Sequence, residues 1–519
     1  MAVPATLLDQ CTICMEEQLF SQGFSLLTSV LHAGLDTNAP ACIPPPPHLA
    51  LASTLAVHPS MTTRTDDQDK HAAANAALRY LRDVVAVVGV EHAGIREALQ
   101  YGTPPALRSD RSSRAKTRRS NAGQASDEEV ESGNLRSKYI EGQSVAENAQ
   151  DFWAVVGWAF NCSVRHKARW ERWSEWLELM LDVLEEDLER YSARGHKSPE
   201  LAHSLIAQYM SIVGAGRNNK RRVMRAVLAD GDARSMAEFG EIWKNETRPV
   251  KKEELLGSKR RKLDLDNDDY GDYLDNESEE DEQIKSRMSR SRTAPKSRRS
   301  RTPADLSAAK DEDDDDIALE TASEGDAIAE YGGMDSIRLR QRFLSLFTNF
   351  SLVAPNLFVD TDELFAIYTE FIRPLPLSIF QQFALPLRRY LSPNLQASLN
   401  EMLFRPLLGT TSAAGLIDQA EFENSFASSA ATSTSATDNA KVSLLTESML
   451  RALWTTGTLT PNLSQLKVLV EQGVKLRHDK VAGNGRRKTG KTADAEDDAR
   501  LVLEHSGQRM MVLLNVLAQ

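Results

Sequence analysis

Residues 152–191 read FWAVVGWAFNCSVRHKARWERWSEWLELMLDVLEEDLERY, and this stretch decides the fold class. Trp170, Trp173, Leu177, Leu181, Leu184 and Leu188 recur at steps of three or four, which places them on one face of an α-helix. Glu171, Glu175, Glu178, Glu185 and Glu189 fall on the opposite face. Five of the seven tryptophans lie between Trp153 and Trp176. A tryptophan carries so much apolar area that a stripe of them is expected to face a core. The competing use is anchoring a partner, since Trp is enriched at binding hot spots. The segment is long for one helix, and a break is expected near Asn161–Ser163.

The same period extends outward in both directions. His71–Gln100 carries Leu78, Leu81, Val85 and Val88 at helical steps, and Phe343, Phe347 and Phe350 repeat the pattern later. Ser198-Pro199, Ser392-Pro393 and Thr460-Pro461 each pair an N-cap residue with a first-turn proline. Asp360-Thr361-Asp362-Glu363 has the form of a capping box ahead of Leu364, Phe365, Ile367 and Tyr368. No run alternates as a strand between hairpin turns, and no fixed repeat period emerges. The expected class is all-α: an irregular helical array, α-solenoid-like or built of stacked bundles, interrupted by long disordered charged linkers.

Composition sets the boundaries. Periodicity gives way to Ser, Gly, Pro and charge over 103–145, 250–333, 409–440 and 480–498. Such segments bury too little apolar surface to offset chain entropy. The expected organisation is a helical block at 1–102, a linker at 103–145 and a Trp-rich helical block at 146–249. A polyampholyte linker follows at 250–333, then a helical block at 334–408. A disordered insertion at 409–440 precedes C-terminal helices at 441–519, which contain a basic loop at 480–498.

The chain has 519 residues, with 62 Lys and Arg against 74 Asp and Glu, a net charge of −12. This balance argues against coating by nucleic acid over the whole surface but leaves room for local basic patches. Four cysteines exclude a disulfide scaffold. The first twenty residues carry Asp9, Glu16 and Glu17 and lack a basic region ahead of an apolar one, so they make a poor signal peptide. The best apolar run, Val84 to Val90, is too short to span a bilayer. The expectation is a soluble intracellular protein with reduced thiols.

Three motifs touch on catalysis. Cys11-Thr12-Ile13-Cys14 resembles the opening knuckle of a RING finger, but Cys42 and Cys162 are the only later cysteines, and His32 and His48 fit no ordinary zinc spacing. Gly485-Arg486-Arg487-Lys488-Thr489-Gly490-Lys491-Thr492 matches the phosphate-loop pattern. That loop needs a buried strand before it, and Lys475-Leu476-Arg477-His478-Asp479-Lys480 cannot supply one. Gly214-Ala215-Gly216 lacks the third glycine of a dinucleotide loop and reads as a turn between helices. No catalytic, cofactor-binding or metal-ligating residue is therefore assigned, and nucleotide hydrolysis or zinc-dependent ligation is a remote alternative.

Charge patterning carries more information. Lys259-Arg260-Arg261-Lys262 is a compact cationic cluster that reads as a nuclear localisation signal. Asp264 to Glu282 holds eleven acids in nineteen residues, Lys285 to Arg301 holds eight cations, and Asp311 to Asp316 is wholly acidic. Ser126, Ser278 and Thr302 sit in acidophilic or proline-directed contexts and are candidate phosphosites. On a helix, Arg217, Lys220, Arg221, Arg222 and Arg225 form a candidate patch for an acidic partner or phosphate. They crowd a helix N-terminus, where the backbone dipole disfavours cations. The structural alternative is internal pairing with Glu185-Glu186-Asp187.

Together these features lead us to expect a nuclear, non-enzymatic scaffold or adaptor of a chromatin, DNA-maintenance or RNA-processing complex. Its partners would be other nuclear proteins, bound through helical surfaces, with no membrane, cofactor or small-molecule substrate. The second expectation is a direct, sequence-nonspecific nucleic-acid binder using the basic runs and the Arg217–Arg225 patch.

Overall fold

Fifteen helices of eight or more residues make up most of the computed structural model, which describes residues 1–33, 40–101, 135–193, 198–214, 216–248, 324–410, 418–459, 463–482 and 491–517. Among the described residues no strand forms, and a single bridge joins Ala2 to Ile43. The chain is all-α. The helices are α1 (Ala5–Glu16), α2 (Phe20–His32), α3 (Pro46–Val57), α4 (Gln68–His92), α5 (Phe152–Arg165), α6 (Lys167–Ala193), α7 (Leu205–Val213) and α8 (Arg217–Val227). They continue with α9 (Gly333–Val353), α10 (Thr361–Ile372), α11 (Leu377–Ala384), α12 (Pro393–Leu408), α13 (Ala436–Thr456), α14 (Ser464–Ala482) and α15 (Lys491–Leu517). No described helix is long and apolar enough to cross a membrane.

Local chemistry sets the ends of these helices. Asp151 caps α5 by accepting from Ala154 N at 2.8 Å, and Asp360 caps α10 by accepting from Glu363 N at 2.7 Å. Ser392 caps α12, with Pro393 in its first turn. The expected break after residue 152 falls at His166 (φ −137°, ψ 70°) rather than at Asn161–Ser163. Asn161 stays helical because its side chain is used elsewhere. Its amide donates to Ser235 O and Phe239 O, and its carbonyl accepts from Gly231 N. Gly89, at φ 76°, bends α4 sharply, and Val90 N beyond the bend donates to Glu186 Oε1 at 3.0 Å.

Met1–Pro249 and Thr321–Gln519 form one unit, while Val250–Glu320 is a second unit that lies outside the described residues. In the first unit α6 is the spine, packed by α3, α4, α5, α7 and α9. Trp153, Trp158, Trp173 and Trp176 are fully buried, so the aromatic stripe is core. Phe343 and Phe347 stack edge-on against Trp153, which binds the third helical block to the second. One continuous apolar cluster runs from Cys11 to Leu514.

Two buried cations tie distant elements together. Glu246 accepts from Arg169 Nε at 2.8 Å, Trp173 Nε1 at 3.1 Å and Ile242 N at 3.2 Å. Arg169 also donates to Thr62 Oγ1 at 2.9 Å and Val57 O at 2.7 Å, which joins the first block to the second. Arg340 makes no ion pair among the described residues; it donates to the carbonyls of Val227, Ala229 and Tyr331 and to Ser336 Oγ, between the rings of Phe160 and Tyr331.

Several expected linkers are shorter than composition implied. Leu135 and Tyr139, in the 103–145 stretch, are buried, and Tyr139 packs edge-on to Phe20 and His58. A short helix, Glu324–Glu330, and buried Tyr331 precede residue 334. The insertion placed at 409–440 is a correction: from residue 418 it forms Gln419–Glu421, a π-helical turn Phe422–Ala427 and the start of α13. Phe422 and Phe426 anchor the turn in the core. Gly473 of α14 lies directly on its last carbonyls, while Arg477 Nη1 reaches Ser429 O at 2.7 Å and Lys480 Nζ reaches Ala431 O. The basic loop at 480–498 shrinks in the same way, since α14 runs to Ala482 and α15 starts at Lys491.

Candidate functional site

The cations of α8 are paired within the fold, but not with the carboxylates expected. Lys220 Nζ lies 3.3 Å from Glu363 Oε1, and Arg221 Nη2 lies 2.6 Å from Glu370 Oε2, both on α10. Arg222 meets Asp151 at 2.8 Å, and Arg225 meets Glu238 at 2.7 Å through a two-point contact. The side chain of Arg217 lies outside the described residues. The reason is placement: α8 packs on α5 and α10, away from the end of α6. Glu185, Glu186 and Asp187 are used otherwise, by Arg342, by Val90 N, and by Arg96 and Leu205 N. Carboxylates from other elements thus offset the unfavourable dipole at the start of α8.

Other residues singled out by sequence fall as follows. Lys259, Arg260, Arg261, Lys262, Ser126, Ser278 and Thr302 lie outside the described residues, as do residues 485–490 of the phosphate-loop pattern. Cys11 and Cys14 are buried on α1, and burial, with Cys14 beside it, pushes the Cys11 thiol up to about 11. No group of three or more His, Cys, Asp or Glu among the described residues is placed to hold a metal ion.

One concave feature among the described residues was not singled out by the sequence. Helices α6 and α9 run side by side in the same direction. Over the first part of α9 the seam is closed by ion pairs: Arg338 to Glu178 at 3.1 Å, and Arg342 to Asp182 at 2.7 Å and to Glu185 at 2.6 Å. Beyond Arg342 the ion pairs stop and a groove of about 910 Å³ opens. Its exposed apolar side chains are Leu352 and Val353, 52% and 38% exposed, while Leu188 and Leu346 beneath them are buried in the core.

Arg388 and Arg389, between α11 and α12, complete the groove. Both are exposed, and neither guanidinium has a hydrogen-bond or ion-pair partner among the described residues. Leu387 beside them is 94% exposed. The charged lining totals four arginines against two glutamates, in a chain that is acidic overall. The arrangement offers apolar contact plus unused guanidinium donors, which suits binding of a segment rather than a covalent step. The sequence signal was there in Leu352-Val353 and Leu387-Arg388-Arg389, but an apolar pair at a helix end has the same period whether it faces a core or solvent.

Comparison with known protein families, curated proteins and solved structures finds no match for this chain.

Proposed function

We propose that this chain is a nuclear, non-enzymatic scaffold or adaptor that holds partner segments on its helical surface within a chromatin, DNA-maintenance or RNA-processing assembly. The observation that carries the reading is the open half of the α6–α9 seam, where an apolar groove ends at unpaired arginines. Such a site contributes binding through buried apolar area and orientation through charge. The cluster Lys259-Arg260-Arg261-Lys262 supports nuclear import, because an extended run of cations suits an acidic receptor groove. Direct nucleic-acid binding through α8 is the weaker reading, since Lys220, Arg221, Arg222 and Arg225 already have carboxylate partners.

Affinity purification of the tagged full chain from nuclear extract tests the proposal. A stoichiometric partner that survives moderate salt is the expected result. Alanine at Lys259, Arg260, Arg261 and Lys262 is expected to move a fluorescent fusion out of the nucleus. A chain that stays monomeric and never enters the nucleus would refute the reading.

A further inference from the structure

We infer that the groove between α6 and α9 takes an acidic amphipathic helix from another protein. This inference rests on the scaffold reading and gives its partner a chemistry. The open stretch of α9, from Arg342 to Val353, spans roughly 16 Å at the α-helical rise, about three turns of a helical ligand. A third helix laid on two parallel helices fits by the ordinary seating of ridges in grooves. Its apolar side chains, spaced at i, i+3, i+4 and i+7, would cover the exposed Leu352 and Val353.

Charge selects the ligand's sign. Arg338 and Arg342 spend their charge on Glu178, Asp182 and Glu185. Arg388 and Arg389 spend theirs on nothing described, so carboxylates at the ligand's flank gain two guanidinium partners at little further cost in desolvating existing pairs. A basic helix would place like charges against both. Glu189, exposed on the facing wall, favours a ligand whose acids lie on the Arg388 side only.

The test is selection of a random 16-residue peptide display library on the full chain, with the variant R388E/R389E as counter-target. Both arginines are exposed and unpaired, so this variant is expected to melt like the wild type, which circular dichroism checks. A second variant, Leu352→Asp, probes the apolar contact from a side chain already half exposed. Enriched peptides should be amphipathic and acidic. Each should bind the wild type in fluorescence polarisation and lose about tenfold or more in affinity on either variant. Enrichment of basic or uncharged peptides, equal binding to R388E/R389E, or no enrichment over the counter-target would overturn the inference. So would an RNA or DNA oligonucleotide binding this groove in place of any peptide, or a dimer of the chain that Leu352→Asp dissociates. If the nuclear partner of the wild type is still recovered with R388E/R389E and Leu352→Asp, the groove assignment fails while the scaffold reading stands. If the wild type recovers no partner, the scaffold reading fails.

Discussion

Replacing Arg169 by Met removes the cation at the junction of α3, α6 and residues 239–248. Arg169 and Glu246 are both buried, at 2% and 1% exposure, so water cannot take over from the lost partner. Glu246 would keep its donors Trp173 Nε1 and Ile242 N but no counter-charge. Breaking a buried pair by removing one partner typically costs about 3–5 kcal/mol. The described unit holds roughly 380 residues, and unfolding entropy near 2.1 cal/mol/K per residue turns about 4 kcal/mol into a fall of about 5 °C in melting temperature. The double variant R169M/E246Q is the decisive comparison. Its neutral Gln still accepts from Trp173 and the backbone, so it should be more stable than R169M alone by about 1–2 kcal/mol. Calorimetry and denaturant titration read both effects. R169M within about 1 kcal/mol of wild type, or a double variant as unstable as the two single losses added, would refute the assignment of this pair as the junction's lock.

Gly473→Ala would push a methyl group into Ala427 O and onto Ser428 Cα, so it should destabilise the chain by about 1–3 kcal/mol, read by denaturant midpoint, whereas alanine at Gly457 meets no neighbour within 4 Å and tests only the cost of a positive φ. Burial foremost, with Arg169 and Lys138 adding, pushes the His58 imidazole down to about 3. Its unfolded value is near 6.5, so its stabilising contribution is full above 6.5 and is lost as pH falls toward 3, by about 1.4 kcal/mol per unit. His58→Asn keeps an acceptor for Ser60 N and should flatten that acid limb, measured as the ratio of denaturant midpoints at pH 7 and pH 4.5. Arg221→Glu should weaken the α8–α10 contact by under about 1 kcal/mol because Glu370 is 46% exposed, and Glu370→Arg added to it should restore most of the loss.

The fold class was legible because the helical period is strong and the caps are explicit. Asp151, Asp360 and Ser392 cap the helices that the sequence marks. The tryptophan stripe of α6 could be read for the same reason, since packing turns a period of 3.6 directly into a buried face. Pairing partners were not legible. The cations of α8 meet carboxylates about 13 to 149 residues away, and a charge on a helix carries no mark of which neighbour will face it. The stretch 418–435 escaped notice for a related reason. It is rich in Ser and Ala, and its order comes from Phe422, Phe426 and the approach of Gly473, contacts with no local period. The groove escaped because it is defined by where a run of ion pairs stops.

Arginine has two uses in this chain. Arg169 and Arg340, which join elements of the fold, spend their donors on several acceptors drawn from different parts of the chain. Arg169 reaches Glu246, Thr62 and Val57 O, and Arg340 collects three carbonyls and a hydroxyl. Replaced together with their partners by apolar residues such buried cations would cost the fold little, but they penalise every alternative packing that leaves them unpaired. Arg388 and Arg389 are the other use: they are exposed beside the groove, and their donors meet no acceptor among the described residues. A solvated arginine costs the fold nothing, so its position there is not explained by stability. It is explained if the acceptors arrive on another molecule, whose carboxylates would complete the row of ion pairs that α6 and α9 begin at Arg338 and end at Arg342.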